Sequence, residues 1–255
     1  MPYDKKHLNL LRELVTLQFL MKDQSTTLGM LWSLLHPLLM LTVLFVVFEH
    51  RMGGSMDAFG AYLLVGVVHF TYFANSTTAA MHSLYNMRHL TRDTIFPKEL
   101  IVLGAILSRT MDYLISLGLS LGIAFLAGVS PTWNLLMLPL LMVLTLLVVA
   151  WVSVLLSFIY LFVRDIDHLF QVVLRVLFFV TPIFYDMSFV GDGIARQLVL
   201  LNPLTHLVTF ARTVILGGTL PSVPVLLAYL GGNALLLVFS IRIFRRVEPA
   251  FAEQL

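Results

Sequence analysis

Four long stretches of the chain contain no Asp, Glu, Lys or Arg, and they constrain the fold more than any other feature. They cover residues 24–48, 58–87, 113–163 and 213–241. A helix crosses the hydrocarbon core of a bilayer with about 20 apolar residues, so each stretch can span once and the third comes close to spanning twice. Because 59% of the 255 residues are hydrophobic and 12% are charged, too few polar side chains remain to cover a soluble globule.

The expected fold class is therefore an all-α, polytopic membrane protein. A secreted domain, a cytosolic enzyme and a disordered chain are excluded. An outer-membrane barrel would show alternating hydrophobicity in segments of about ten residues, and this sequence does not. Six spans are predicted, at residues 28–48, 59–84, 100–127, 135–163, 168–185 and 223–244. Only residues 164–167 separate the fourth span from the fifth, so these two helices should form a tight hairpin.

The distribution of basic residues orients these spans. The N-terminal arm, the 85–99 segment, the 164–167 turn and the C-terminal tail share one side of the membrane and hold 11 of the 16 Lys and Arg residues. The opposite side has three, and the other two lie within spans. Loops rich in Lys and Arg stay in the cytoplasm, so both termini are predicted to be cytoplasmic, which agrees with an even number of spans.

The chain is predicted to form a single domain, residues 1–255, in which three segments outside the spans have distinct patterns. Within residues 1–27, the apolar and polar residues of positions 3–24 fall on opposite faces of a helix. This pattern predicts an amphipathic helix that lies in the membrane interface on the cytoplasmic side. Residues 85–99 mix both signs of charge and predict a short helix that Asn86 could cap and that ends before Pro97. Such a short helix is marginal alone in water and is expected to dock on its own bundle or on a cytoplasmic partner.

The third segment, residues 186–222, lies on the external side. It opens with polar residues and then contains two apolar runs, 198–201 and 204–216, separated by Asn202 and Pro203. Neither run is long enough to cross the membrane fully. Short apolar helices of this kind indicate a re-entrant or interfacial cap, because irregular backbone at membrane depth is tolerated where protein buries it.

A few ionisable side chains fall within the predicted spans. Arg109 and Asp112 are three residues apart on one helix face, which favours an intramembrane ion pair with a structural role over a transport role. Arg175 has no acid within four positions, so it must snorkel, reach Asp112 across the bundle, or line a wet cavity where its fork would suit phosphate oxygens. His36 and His69 are lone histidines among apolar residues, a pattern more typical of hydrogen-bonded packing.

Several chemistries are excluded by the absence of their motifs. The chain has no Cys and no Gly-Lys dipeptide, so it contains no disulfide, no thiolate site and no phosphate loop. HExxH is also absent. Residues 118–122 read GLSLG and match GxSxG, but they lie inside a predicted membrane span rather than at a strand-to-helix turn, which argues against an enzyme. Asp165, Asp167 and His168 share one turn, but the polarity of a cytoplasmic hairpin explains them better than a metal site does. A net charge of +2 is too small to indicate a nucleic-acid partner.

Five motifs, in order, resemble the permease subunits of type-2 ABC transporters, in the branch that exports polysaccharides and polyol-phosphate polymers. Each motif is weak alone, but together they cover nearly the whole chain at suitable separations. They are LGMLWSLLHPL at 28–38, FP at 96–97, VRDI at 163–166, TPIFY at 181–185 and NPL at 202–204.

The resemblance implies partners that composition does not show. Such permeases work as homodimers with two ATP-binding subunits, a heterotetramer in which ATP and Mg²⁺ belong to the partner and this chain holds no cofactor. The 85–99 segment would be the coupling helix that docks on the ATPase, with Arg88, His89, Arg92, Asp93, Phe96 and Pro97 at the contact. The external segment would form gate helices around Asn202 and Pro203.

The resemblance also implies a path and a cargo. The first and fifth spans would line a path between protomers in a bacterial cytoplasmic membrane. The candidate pathway residues are Trp32, His36, Arg175, Phe178, Phe179 and Tyr185. The cargo would be a lipid-linked glycopolymer such as O-antigen or wall teichoic acid. The alternatives left open are a permease of the same fold for drugs or small lipids and a membrane-embedded enzyme acting on prenyl-phosphate-linked substrates.

Overall fold

The computed structural model describes residues 5–22, 29–52, 58–93 and 96–251. Within these ranges the chain forms ten α-helices joined by short 3₁₀ turns, and no β-strand. The helices are α1 (Lys5–Lys22), α2 (Trp32–Met52), α3 (Phe59–Asn86), α4 (Arg88–Asp93), α5 (Glu99–Leu126), α6 (Leu138–Phe162), α7 (Ile166–Val180), α8 (Ile194–Leu201), α9 (Pro203–Leu216) and α10 (Val223–Val247).

Helix α3 is the centre of the bundle. It packs against α2, α5, α6 and α9, and side chains such as Leu63, Leu64 and Met81 are completely buried. Helix α10 packs on the outer side of α6, and α1 packs along α5. Lipid tails are as apolar as leucine, so the cohesion of these helices comes from close packing and interhelical hydrogen bonds rather than from removal of water.

Several buried hydroxyl groups of the central helices are satisfied locally. Thr77, Ser108 and Thr145 each donate to a carbonyl of the preceding turn, at 2.7 to 2.8 Å. This bonding back to the helix leaves no free donor at these hydroxyls in a region where water does not compete. The helices can therefore carry many Ser and Thr residues and still pack inside the bundle.

The predicted N-terminal helix is confirmed as α1, and the structure adds its packing partner. Leu14 is buried against α5, and the Gln18 side chain donates to the carbonyl of Ile101 at 3.0 Å. Gly104 permits this close approach, because a Cβ there would lie 3.0 Å from Gln18 Nε2 and 3.2 Å from Leu14 Cβ. Leu14 and its neighbours thus pack on the bundle, while Leu8, Leu17 and Leu20 of α1 stay exposed.

The count of six spans stays a prediction. Helices α2, α5, α6 and α10 are each long and apolar enough to cross a membrane, and α8 with α9 would make a fifth crossing if that bent pair is one span. Helix α3 has 28 residues but carries many polar side chains. Helix α7 has 15 residues, which at about 1.5 Å per residue is shorter than a hydrocarbon core of roughly 30 Å.

Three predicted boundaries can be compared with the structure. The tight hairpin is confirmed, since α6 ends at Phe162 and α7 begins at Ile166. The fifth predicted span extends too far, because α7 ends at Val180. Thr181 is extended there, as expected for a residue that precedes proline. The predicted cap at Asn86 is wrong, because Asn86 is the last residue of α3.

Candidate functional site

Two adjoining cavities, each with charged side chains in its wall, lie among the helices on the side of the bundle where α3 ends. The larger, of about 760 Å³, is bounded by α1, α3, α5 and α7, and the smaller, of about 260 Å³, by α2, α3 and α5. Lys22, Asn75 and Arg109 belong to both walls. Polar and charged side chains between membrane helices are expensive to place, so a cavity lined by them is a functional candidate.

The wall of the larger cavity is basic. It contains Lys22, Arg88 and Arg109, and no Asp or Glu among the lining residues within the described ranges. The other polar groups of the wall are amides, hydroxyls and one imidazole, contributed by Gln18, Asn75, Thr78, His82, Ser83, Asn86, Ser108 and Gln171. Amide and hydroxyl groups serve both donors and acceptors, while Arg88 and Arg109 favour a ligand with negative charge.

An ion pair lies where the two cavities adjoin: Lys22 lines both of them, and its partner Asp112 lines the smaller one. Asp112 Oδ2 accepts from Lys22 Nζ, which joins the end of α1 to the middle of α5. We predicted that Asp112 would pair with Arg109. Among the residues that the structure describes, Asp112 forms its ion pair with Lys22 instead. The two partners are 90 positions apart, so the contact depends on how α1 packs and leaves no local signal in the sequence.

The predicted pathway residues separate into two groups. Trp32 and His36 both line the smaller cavity, and Trp32 is 48% exposed. Arg175 is exposed on α7, one turn beyond Gln171, whose side chain lines the larger cavity. Within the described ranges Arg175 forms no ion pair, so of the three alternatives that the sequence left open, the pairing with Asp112 is not seen.

The remaining pathway residues lie in an aromatic cluster at the other end of α7. Phe178 and Phe179 are edge-on to each other with ring centroids 5.6 Å apart. Phe184 stacks on Phe48 of α2 at 4.6 Å and meets Tyr185 at 5.3 Å. These rings therefore link α2 to the end of α7, and they are not in contact with the cavity that holds Trp32.

The coupling segment presents a charged surface. Helix α4 is anchored by Thr91, which is buried and whose hydroxyl donates to the carbonyl of Leu84 at 2.9 Å. Arg88, His89, Leu90 and Arg92 of α4 are exposed. Half-buried residues follow before α5, while residues 94 and 95 lie outside the described ranges. Of the predicted contact residues, Arg88, His89 and Arg92 are exposed, Phe96 and Pro97 are half-buried, and Asp93 ends the helix.

The last two residues of this segment and the end of α10 form what we call the carboxyl-terminal clamp: Lys98, Glu99, Arg245, Glu248 and Phe251. Arg245 donates to Glu99 Oε1 through Nε at 3.0 Å and Nη2 at 2.7 Å. The backbone N–H of Lys98 donates to Glu248 Oε1 at 3.2 Å, and Phe251 is 1% exposed. The end of α10 is thus attached to the first turn of α5, where the coupling segment ends.

At the opposite end of the bundle, Arg212 of α9 forms what we call the external latch with Tyr62, Gly66, Pro182 and Ile183. Its guanidinium donates to the carbonyls of Pro182 at 2.6 Å and Ile183 at 2.7 Å, and lies 3.3 Å from the ring centroid of Tyr62. Gly66 leaves the necessary space, since a Cβ there would meet Arg212 Nη2 at 3.0 Å. The latch joins α3, α9 and the turn after α7.

The break predicted at Asn202 and Pro203 is confirmed. Helices α8 and α9 meet there at 75°. Asn202 caps α9 by accepting from the N–H of Leu204 at 3.0 Å, and its amide donates to the hydroxyl of Thr181 at 2.8 Å. Asn202 thus ties the bend to the turn after α7. A gate function for this bend stays a prediction.

Sequence reasoning missed the roles of Lys22, Glu99 and Arg212. Arg212 had a usable signal, because it is the lone charge within the apolar run of α9. Glu99 and Lys22 had none, since each belongs to a segment that already mixes charges. Their partners come from helices far away along the chain.

Comparison with known proteins agrees with the family resemblance that the sequence motifs indicate, along nearly the whole chain. The sequence family described as ABC-2 type transporter matches residues 9–216. The O-antigen export system permease protein RfbA of Myxococcus xanthus is 27% identical over 247 residues, which cover 96% of this chain and 95% of that protein. Two proteins with the same name from Klebsiella pneumoniae are 25% and 23% identical, each covering 90% of this chain and 88% of its own length.

Proposed function

The chain belongs to the ABC-2 type transporter family, and from this membership we propose that it is the membrane-spanning permease subunit of an ATP-driven exporter of a lipid-linked glycopolymer. One observation carries the proposal: relatives named as O-antigen export permeases align with 90% or more of the chain. The cation-lined cavity supports it, because a bundle of apolar helices has no structural need for such a wall.

The energy source is proposed to be a separate ATP-binding subunit. This chain has no Gly-Lys dipeptide and so cannot form the phosphate loop that binds ATP. Helix α4 offers exposed Arg88, His89 and Arg92 as a docking surface. The assembly we propose is a permease homodimer with two such subunits, in a bacterial cytoplasmic membrane, with ATP and Mg²⁺ bound only by the partner.

The names of the relatives indicate the chemical class of the cargo. Their printed names specify O-antigen, which favours a lipid-linked O-antigen polysaccharide over wall teichoic acid. The basic larger cavity agrees with a cargo whose carrier bears negative charge. The experiment below distinguishes this cargo from the two alternatives, which are export of drugs or small lipids and enzymatic action on prenyl-phosphate-linked substrates.

The test combines deletion of the gene with charge reversal at the coupling surface. Deletion should cause the polymer to accumulate inside the cell, and the double variant His89→Glu/Arg92→Glu should lose export and substrate-stimulated ATP hydrolysis while still inserting in the membrane. Arg242→Glu, an exposed cation on α10, is the matched control and should export normally. Normal surface polymer after deletion would contradict the function, and normal export by the double variant would contradict the coupling assignment.

A further inference from the structure

We propose that the larger cavity binds the phosphate-bearing headgroup of a membrane lipid that arrives from the cytoplasmic leaflet. This inference rests on the proposed function, because the lipid would be the carrier of the exported polymer. It goes further by assigning a binding site within a single protomer, between α1, α3, α5 and α7.

The charge of the wall favours an anion. Lys22, Arg88 and Arg109 line the larger cavity, and the described part of the wall contributes no carboxylate. Lys22 is paired with Asp112 of the adjoining cavity, so its charge is balanced, and the two arginines supply the positive charge of the wall. An arginine fork donates two parallel hydrogen bonds to phosphate oxygens, and two arginines here come from different helices, α4 and α5.

A second titratable pair lies beside the cavity. His82 of α3 lines the wall, and its Nε2 lies 3.5 Å from Asp167 Oδ2 of α7. That contact directs the Asp167 carboxylate toward the imidazole, and Asp167 itself is not among the lining residues described. Amide and hydroxyl groups make up most of the remaining polar wall, and they can donate to phosphate or sugar oxygens.

The size and position of the cavity suit a lipid headgroup. About 760 Å³ lies within the usual range of small-molecule sites, roughly 300–1,000 Å³. One wall is α1, the amphipathic helix, which contributes Gln18, Met21 and Lys22. Because amphipathic helices lie at headgroup depth, a lipid could place its phosphate in the cavity while its chains stay in the bilayer.

The smaller cavity would receive the next part of the same ligand. It shares Lys22, Asn75 and Arg109 with the larger one and adds Trp32, which is 48% exposed. The indole offers an apolar face of the kind on which a sugar ring can stack, and Ser33 and Ser116 lie in the same wall. A phosphate in the larger cavity with a sugar near Trp32 is the arrangement that we infer.

The experiment measures binding to the full-length chain in nanodiscs of uncharged phosphatidylcholine, without any ATPase. The probes are farnesyl diphosphate, which has a short prenyl tail and a diphosphate, farnesol, which has the tail alone, and inorganic pyrophosphate. Radiolabelled farnesyl diphosphate should bind saturably, farnesol should not compete, and inorganic pyrophosphate should compete only at much higher concentration.

Two variants test the wall. Arg88→Gln and Arg109→Gln should each raise the Kd for farnesyl diphosphate by about tenfold or more, because each removes charge-assisted donors. Arg109→Lys should fall between wild type and Arg109→Gln, since it keeps the charge and loses the fork. Arg242→Gln is the control with an unchanged Kd. Arg88 is exposed, so its variant keeps the test valid even if the Arg109 variants fold poorly.

Three results would overturn the proposal: an unchanged Kd in Arg88→Gln and Arg109→Gln, competition by farnesol, or binding of inorganic pyrophosphate as tight as that of the lipid form. The last would mean a site for a soluble anion. The proposed function fails in a different experiment. If these probes do not bind but deletion of the gene blocks polymer export, the site assignment alone is wrong. If the probes bind tightly but polymer export is normal after deletion, the proposed function alone is wrong.

Discussion

The external latch and the carboxyl-terminal clamp each bury a charged group at one end of the bundle, yet they neutralise it differently. Arg212 is 8% exposed and is held by backbone carbonyls and the face of Tyr62, with no carboxylate in ion-pair contact among the described residues. The Glu99 side chain is 4% exposed, and its partner Arg245 is 53% exposed.

The difference reflects the donor chemistry of the two groups. A guanidinium has five donors in a fixed fork, so neutral carbonyls within the protein can satisfy it. A carboxylate only accepts, and Glu99 obtains its donors from a cation that stays in contact with water. The external latch is therefore satisfied entirely within the protein, whereas one partner of the clamp is exposed to solvent, at the end of the bundle where α4 presents its charges.

The largest expected effect is at Arg212. Arg212→Met should destabilise the protein by about 3 kcal/mol or more, because two buried carbonyls lose their donors. Thermal loss of the monodisperse peak in detergent measures this. Arg196→Met is the control, since its pair with Asp192 is an exposed i,i+4 contact and should be nearly neutral. Equal stability of the two variants would contradict the latch.

The clamp should show an asymmetry between its partners. Arg245→Met leaves the Glu99 carboxylate buried without its donors and should destabilise the protein by about 2 kcal/mol, whereas Glu99→Gln should have a smaller effect. The double variant should be no less stable than Arg245→Met alone. This double-mutant cycle is read from the same thermal assay, and strictly additive losses would show that the two side chains do not interact.

The space for the latch is tested at Gly66. Gly66→Ala should destabilise the protein by about 1 to 2 kcal/mol, because the new Cβ meets Arg212 Nη2 at 3.0 Å and Ile183 Cα at 3.3 Å. Gly122→Ala on α5 is the matched control. Its Cβ would meet nothing within 4 Å, so the change should be neutral or stabilising by helix propensity. A neutral Gly66→Ala would show that the latch tolerates displacement.

The smallest effect concerns Asp186, which follows the latch turn. Burial alone would raise its pKa, but hydrogen bonds from Ser188 and Met187 and the charge of Arg212 together lower the pKa below its ordinary value of 3.8. The ionised form therefore stabilises the fold above that value, and this contribution is lost as the pH falls through the lower, folded pKa. Asp186→Asn should lose less than about 0.5 kcal/mol at pH 7 and match wild type near pH 2. A difference between the two that grows toward low pH would have the wrong sign.

Much of the fold could be predicted because membrane burial acts on local sequence. Stretches without charge marked most of the long helices, the amphipathic pattern marked α1, and Asn202 with Pro203 marked the bend between α8 and α9. Each of these signals lies within about 20 neighbouring residues, where backbone hydrogen bonding in lipid allows little except a helix.

The candidate site was predicted less well, because its contacts join distant positions. The i,i+3 spacing of Arg109 and Asp112 suggested a pair within one helix, but Asp112 pairs with Lys22 of α1. The grouping of Trp32 and His36 in one cavity, apart from Phe178 and its neighbours, also depends on which helix faces which. Charge type was visible in the sequence, and partner identity was not.

The sequence by itself determined that this chain is a helical membrane protein, which segments are amphipathic or broken, and that it lacks an ATP-binding loop. The tertiary structure decided which charges meet: Lys22 with Asp112, Glu99 with Arg245, and Arg212 with the carbonyls after α7. The physical reason is range. Helix formation in lipid is dictated by neighbouring residues, whereas a buried charge is satisfied by whatever donor or acceptor the packing of distant helices brings within 3 to 4 Å.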